Sequence, residues 1–344
     1  MIDKVLFLVP MHITMDSFLN PSENTRSYTK SDGKQYNSVR TDLPLGPLSM
    51  SAYIKKFVDV EVKVIDFNVE LSHAEAFPYE NFYDYCYDFL SSYEFKPDII
   101  GVSSLFSPSF DNFMDCGRAS IAVWPNSMVL GGGNIPTNDY KHIYQDLNCD
   151  FFDALCYGEG EIAFKDLLLS KDRKKFLNQS TSWITSRNMK EKKLFEPKHD
   201  FIDDLDEIPF FDYDLCDIVR HSIDPVTTAF HNVEDRFGFH IMTSRGCPFL
   251  CTFCASHKTH GRTMRYHSVD RVREDLTTLK EKYGAKTVIF QDDHYMADKD
   301  RVYKILEILT ELNLDSLYQN GLTLYALDRH MLEAFYAAGV RHLV

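Results

Sequence analysis

No stretch of this 344-residue chain approaches the roughly 20 consecutive apolar residues that a membrane helix needs. The apolar run near the start, Val5-Leu6-Phe7-Leu8-Val9, is too short to span and has no small-residue cleavage site after it. It reads as a buried first strand, and the default expectation is a cytoplasmic protein with no membrane partner. An excess of positive charge is also missing: 37 Lys and Arg stand against 51 Asp and Glu, for a net charge of -14. Non-specific nucleic-acid binders carry a basic stripe that neutralises phosphates, so no nucleic-acid partner is expected and a small-molecule substrate fits better. In a reducing compartment the eight cysteines read as thiols or metal ligands. Five of them, Cys86, Cys116, Cys149, Cys156 and Cys216, show no pairing at ligand spacing and read as core fillers. What is present is 44% hydrophobic residues, enough for a large core, in a length that suits two domains better than one.

In the N-terminal half short apolar runs alternate with longer helical patterns, the sign of βαβ units and a parallel sheet. Strands are expected over 4–10, 60–67, 98–105, 127–132 and 151–157, and helices over 48–57, 80–93, 110–123, 140–147 and 161–169. In an open sheet of this kind ligands bind beyond the carboxyl ends of the strands. Those ends carry Ser103-Ser104, Gly131-Gly132-Gly133 and Gly158-Glu159-Gly160. Glycine lets backbone approach a bulky ligand, and small hydroxyl residues add donors without filling space. Each glycine alone is equally well explained by a tight turn, whereas three such ends on one rim point to a binding site.

The runs Pro97-Asp98-Ile99-Ile100-Gly101-Val102-Ser103, Val129-Leu130-Gly131-Gly132 and Tyr157-Gly158-Glu159-Gly160-Glu161 resemble the cobalamin-binding domain that precedes many radical S-adenosylmethionine enzymes. Pro44-Leu45-Gly46 resembles the entry to the first helix of that domain. The resemblance implies that Ser103, Ser104, Gly131, Gly132, Gly158 and Glu159 surround cobalamin. The sequence departs from one class of cobalamin proteins in having no Asp-x-His-x-x-Gly run, and the residue after the glycines is Asn134 where relatives often carry histidine. A bound cobalamin is therefore expected to lack a lower histidine ligand. A polar insert over 12–42 reads as a lid or a disordered segment.

From 171 the character changes. A basic stretch over 171–175 precedes an expected hairpin over 181–195, and the acidic run Asp203-Asp204-Leu205-Asp206-Glu207 then leads to Ile208-Pro209. A row of carboxylates is more often a solvated face than a metal site, and it is read so here. The pattern from Asp204 to Pro209 resembles the linker between the two domains of the same family.

The run Ser244-Arg245-Gly246-Cys247-Pro248-Phe249-Leu250-Cys251-Thr252-Phe253-Cys254 is the strongest signal in the chain. Spacings of three and then two residues let one loop offer Cys247, Cys251 and Cys254 to a four-iron, four-sulfur cluster and leave one iron without a protein ligand. Zinc is the alternative, with His257 or His260 completing the set, although no second Cys-x-x-C half is present. The spacing resembles the radical S-adenosylmethionine superfamily. The resemblance implies a βα barrel, S-adenosylmethionine at the open iron, Phe253 near its adenine, and Asp292 or Asp293 on its amino group. Either aspartate reads equally well as a cap or a turn residue. The resemblance also implies an electron donor such as flavodoxin or ferredoxin. Arg262 and Arg265 read as surface arginines, with a carboxylate or phosphate partner as the alternative.

Past the motif the sequence predicts a helix over 269–283, a strand over 287–290, a helix over 301–312, a strand over 317–324 and a helix over 329–338, with 339–344 opening a fourth barrel strand. The expected organisation is α/β: a doubly wound, Rossmann-like domain of cobalamin-binding type over 1–170, a connector over 171–237 and an incomplete, TIM-like radical S-adenosylmethionine barrel over 238–344. The expected function is reductive cleavage of S-adenosylmethionine coupled to methyl transfer from cobalamin to an unactivated carbon or phosphorus. The alternatives are a radical cyclisation or rearrangement, a non-catalytic zinc-stabilised binding protein, or an inactive fragment. Because family barrels run to six strands, the chain reads as part of a longer protein. The native protein is then expected to exceed 39.9 kDa by mass measurement, and a native mass of 39.9 kDa would overturn that reading.

Overall fold

The computed structural model describes residues 2–23, 25–39, 42–191, 195–221 and 238–340. The chain forms two compact units: Met1–Arg40, Gly46–Phe201 and Phe211–Leu215 make the first, and Thr41–Leu45, Ile202–Phe210 and Cys216–Val344 the second. The stretch expected as a connector is thus divided, most of its residues through Phe201 packing within the first unit.

The first unit begins with β1 (Asp3–Val9), α1 (Met15–Leu19), β2 (Ser27–Thr29), β3 (Gln35–Asn37), α2 (Leu45–Lys55), β4 (Val60–Asp66), α3 (Phe67–His73), α4 (Phe82–Ser91) and β5 (Ile99–Ser103). It continues with α5 (Phe110–Val123), β6 (Met128–Gly132), α6 (Asn134–Lys141), β7 (Ala154–Cys156), α7 (Glu161–Leu169), α8 (Arg173–Gln179), β8 (Trp183–Ile184) and α9 (Ser186–Glu191). Strands pair in the order β4-β1-β5-β6-β7-β8, parallel except for β8. Counted along the chain the parallel strands run 2-1-3-4-5, the flavodoxin-like doubly wound order, whose switch point lies between the first and third strands. Here those strands are β1 and β5.

Both sheet faces are covered, and alternation assigns the residues. Val5, Phe7, Ile99, Leu130 and Ala154 face one apolar cluster, which takes in Ile54 of α2 and Phe164 and Leu167 of α7. Leu6, Leu8, Ile100, Val102, Val129 and Leu155 face the other, with Cys86 and Leu90 of α4 and Phe113 and Cys116 of α5. Cys86, Cys116, Cys149 and Cys156 are buried free thiols and Cys216 is half-buried.

Three expectations are corrected here. The insert over 12–42 is not a disordered segment where it is described. Its α1 and its β2–β3 ribbon bury Phe18 and Tyr36 against Phe77, with ring centroids 5.2 to 6.2 Å apart, and Lys30 Nζ donates to the carbonyls of Leu71 and Ala74 at the end of α3. The hairpin over 181–195 is not formed among the described residues. Only Trp183–Ile184 is strand, pairing with β7, because Thr185 Oγ1 accepts from Asn188 N and starts α9. The helix expected over 140–147 begins at Asn134, since Pro136 sits in its first turn, where a missing N–H costs nothing.

The second unit holds β9 (Gly238–Ile241), β10 (Ser244–Arg245), α10 (Ser256–His260), β11 (Arg265–Tyr266), α11 (Val269–Tyr283), β12 (Thr287–Phe290), α12 (Lys299–Glu311), β13 (Asp315–Tyr318) and α13 (Arg329–Ala337). The strands β9, β12 and β13 form a parallel sheet in the order β13-β12-β9. The strand β12 is buried throughout, as a parallel strand covered on both faces must be. The strand β13 stops at Tyr318, earlier than expected, because the following turn carries Gly321 at φ 82°. Of the strand expected over 339–344, residues 341–344 lie outside the described residues.

The acidic run also departs from a merely solvated face. Asp203 and Asp204 are exposed, but Asp206 accepts from Ser268 N and lies 3.2 Å from His267 Nδ1, tying the run to the start of α11. Burial, with Arg271 and Arg245 nearby, holds the His267 imidazole down at about 4. A histidine lowered on folding contributes stability that is present above its unfolded pKa near 6.5 and is lost as the pH falls toward 4. Asp275, pushed up to about 6 by burial against the pull of Arg271, acts in the opposite sense over an overlapping window. His267→Gln is expected to remove on the order of 2–3 kcal/mol of acid sensitivity between pH 6.5 and 4. Urea unfolding across that range measures it, and a slope equal to the parent's would dismiss His267 as its source.

Candidate cofactor sites

In the first unit the carboxyl ends of β5, β6 and β7 stand side by side, so Ser103, Ser104, Gly131, Gly132, Gly158 and Glu159 all belong to one rim. The rim is tightly tied. Ser104 N donates to Gly132 O at 3.0 Å, Ser104 O accepts from Ile135 N, and Ser104 Oγ lies 2.6 Å from Ser109 Oγ. Gly133 adopts φ 96°, and a Cβ there would lie 2.4 Å from Ser104 O, so only glycine lets α6 start against the β5 end. Gly158 N donates to Thr137 Oγ1, which in turn donates to Gly133 O.

The six expected residues differ in what they present. A Cβ on Gly131 would meet Leu155 and Phe113 at 2.6 and 2.7 Å, so core packing fixes that glycine. At Gly132 the nearest atom is Cys156 Cβ at 3.9 Å, which leaves room. Ser104, Gly158 and Glu159 are buried, and Ser103 is half-buried with its Oγ 3.8 Å from the Cβ position of Gly46. Sequence reasoning missed Thr137, Leu105 and Phe106. Leu105 is 54% exposed and Phe106 41%, with Phe106 packed edge-on against the His12 ring at 4.9 Å. Their signal was an apolar pair directly after a strand end, where polar turn residues are usual.

In the second unit the cysteine loop is closed at its base. The β10 and β11 strands pair antiparallel, Ser244 with Tyr266 and Arg245 with Arg265, which fixes both ends of the segment between them. Gly246 adopts φ 92°, and a Cβ there would lie 2.3 Å from Thr263 O. Cys247 N donates to Gly261 O, Cys254 N to Cys251 O, and Arg262 to Phe249 O. Arg265 is buried and donates to Ile202 O and His260 O, contrary to the surface position expected of it. Cys247 and Cys254 are half-buried, Cys251 is exposed and Phe253 is 89% exposed.

The two aspartates after β12 separate in role. Asp292 is buried and accepts from Thr243 N at 2.8 Å, Thr243 Oγ1 at 2.7 Å and Ser244 Oγ at 2.6 Å. Burial raises its carboxyl pKa while Arg301 and these donors hold it down. Asp293 accepts from Ser256 through Oδ1, and its Oδ2 is buried without a hydrogen-bond partner among the described residues. Neither caps α12; Asp298 does, accepting from Arg301 N. Burial pushes the Cys247 thiol up, and Asp293, Cys254 and Cys251 add to that direction.

Among the described residues no three His, Cys, Asp or Glu side chains converge to enclose a single metal ion. A four-iron cube takes each thiolate on a different iron, so its ligands need no such convergence. Three soft sulfur donors on one loop, two of them half-buried, suit that group.

A doubly wound domain with its strand ends gathered on one rim, followed by parallel βα units that begin with a three-cysteine loop, defines a class: a domain of cofactor-binding type joined to an α/β domain of radical S-adenosylmethionine type. Comparison with known families bears on the same residues. The B12 binding domain matches residues 43–168 and the radical SAM superfamily matches residues 241–344. An uncharacterised methyltransferase of Pyrococcus horikoshii is 34% identical over 226 residues, covering 64% of this chain and 45% of its own length. Cytidylyl-2-hydroxyethylphosphonate methyltransferase of Streptomyces wedmorensis is 25% identical over 332 residues, covering 89% and 61% respectively. The solved radical S-adenosylmethionine methyltransferase TsrM of Kitasatospora setae, with cobalamin and a [4Fe-4S] cluster bound, shares the fold at a TM-score of 0.61. It is 13% identical, with 98% of this chain and 57% of that one covered. The chain belongs to the radical S-adenosylmethionine superfamily and carries a cobalamin-binding domain ahead of its radical domain. The cofactors of this family are a 4Fe-4S cluster, S-adenosylmethionine and cobalamin. The chain spans about half the length of the curated relatives it matches.

Replacing Asp292 with alanine strands three donors at a buried site and is expected to cost about 2–4 kcal/mol of stability. Asp293→Asn, at a half-buried site, is expected to cost less than about 1 kcal/mol. Thermal unfolding of both variants makes the comparison, and equal losses would contradict the separation of roles.

Proposed function

We propose that this chain forms the cofactor-bearing part of a cobalamin-dependent methyltransferase acting on an unactivated carbon or phosphorus of a small molecule. The observation that carries the reading is the cysteine loop, clasped at its base by β10 and β11, with a buried, unpartnered Asp293 oxygen just beyond the end of β12, the neighbour of β9. Cys247, Cys251 and Cys254 would hold the cluster. When bound, the cluster and S-adenosylmethionine supply reductive carbon-sulfur cleavage, and cobalamin supplies a methyl carrier.

The residues have distinct tasks. Asp293 Oδ2 offers an acceptor for the ammonium of S-adenosylmethionine, and a charge-assisted bond there would satisfy a buried oxygen. Asp292 is assigned to holding the loop rather than to the ligand, because its donors already come from Thr243 and Ser244. Phe253 presents an exposed ring for the adenine face. Cys247 holds its proton more tightly than in water, so loading must release it.

In the first unit Ser103, Ser104, Gly132, Gly158 and Glu159 would line the cobalamin site, with Leu105 and Phe106 offering apolar cover to the corrin. Gly131 serves it through the packing of β6. The residue that follows the glycines and opens α6 is Asn134. A one-electron donor such as flavodoxin or ferredoxin completes the set of partners.

The full-length protein, reconstituted without oxygen and given reductant and S-adenosylmethionine, is expected to release deoxyadenosine. Cys251→Ala is expected to cut that release on the order of a hundredfold and to lower bound iron and sulfide. Release unaffected by the substitution would remove the cysteines from the role proposed here.

A further inference from the structure

The most exposed large apolar side chains among the described residues, Leu250, Phe253, Leu324 and Tyr325, all lie on two loops of the second unit. One is the cysteine loop after β9 and the other follows β13, so both leave the carboxyl ends of parallel strands of one sheet. Ring contacts join them. The Phe249 ring, between Cys247 and Cys251, meets the Tyr325 ring at 6.2 Å and the His294 ring at 5.0 Å, both edge-on. His294 Nδ1 lies 3.2 Å from Thr323 Oγ1, and Asn320 Nδ2 donates to Gln291 O at 2.9 Å, which fixes the loop after β13 against the end of β12. Held in this way, Leu324 is still 81% exposed and Tyr325 74%.

The same two loops are without charge: no Asp, Glu, Lys or Arg occurs over 246–256 or 319–327. Burial favours the neutral form of His294. Arg262 meets the cysteine loop at Phe249 O, and the Asp293 carboxylate accepts from Ser256. A joined apolar patch on a rim, where polar turn residues are usual, marks a binding surface. The carboxyl ends of parallel βα units are where such domains take up small molecules, and this patch is continuous with the loop offered to the cofactors, so its occupant is a substrate. We propose that Phe249, Leu324 and Tyr325 bind the apolar part of that substrate, and that the substrate is an uncharged, ring-bearing molecule rather than an anionic phosphorus oxyacid. The inference rests on the cysteine loop holding the cluster, as proposed above, because Phe249 belongs to that loop. An anion seated here would leave water with no side-chain cation of either loop to receive it. A ring gives up little on leaving water and finds in Phe249 and Tyr325 two rings that already pair edge-on.

The test titrates full-length protein, reconstituted without oxygen, with Nile red, a neutral fused-ring dye whose fluorescence rises on apolar surfaces. Leu324→Ser/Tyr325→Ser is expected to weaken dye binding about fivefold or more, and Leu324→Met/Tyr325→Phe to retain the parent affinity. Indole is expected to displace the dye from the parent, and phenylphosphonate at the same concentration to leave it bound. Equal dye binding by the parent and the serine-substituted protein would overturn the proposal, including the case in which another part of the full-length chain covers the patch. Displacement by phenylphosphonate as effective as that by indole would overturn it too. A parent dimer that the serine substitutions dissociate, seen by light scattering, would give the patch to a second copy and likewise overturn it. Iron and sulfide measured in the same parent sample keep the two readings apart. Their absence would remove the cluster assignment and the proposal that rests on it, whereas equal dye binding in a sample that holds both would overturn this proposal alone.

Discussion

Asp292 is the constraint on which the second unit depends. A single buried carboxylate at the end of β12 accepts three hydrogen bonds from Thr243 and Ser244, at the point where the chain leaves β9 and enters the cysteine loop. Arg301 approaches the same junction from α12, donating to Thr243 O and His267 O, with its guanidinium 5.2 Å from the Tyr266 ring. The exit of one strand, the end of its neighbour and both arms of the β10–β11 clasp are thereby fixed together. Removing either charge would leave the other buried with less compensation, so the two support the junction together.

This arrangement explains why the cysteine loop can be short of regular structure and still have a defined course. Its base is pinned by backbone pairing, its turn is set by a glycine that no side chain can replace, and a guanidinium holds its middle through Phe249 O. The sulfurs then need little ordering when a cofactor arrives, which lowers the entropy cost of binding.

The parts of this organisation differ in how plainly the sequence carries them. The three cysteines lie within eight residues, so their spacing is local and can be read directly. The alternation that sends Phe7 to one face of the sheet and Leu8 to the other is likewise local, and the central strands follow from it. The role of Asp292 is not local: its partner Thr243 is 49 residues away, and nothing in Gln291-Asp292-Asp293 marks which carboxylate faces the junction. The folded insert was hidden because Phe18 and Tyr36 are single aromatics among polar residues, and their burial depends on Phe77 from elsewhere in the chain. The early start of α6 was hidden by Pro136, a breaker in most contexts and harmless in a first turn.

The six-stranded sheet of the first unit ends in two unlike margins. At one margin stands β4, seven residues long, with Glu61 and Lys63 exposed along it; at the other, β8 is only two residues long and runs against its neighbour. A foreign strand adding to β4 would meet alternating charges, and one adding to β8 would find almost no backbone to pair with. Polymerisation through open ladders is blocked on both sides by composition in one case and by brevity in the other.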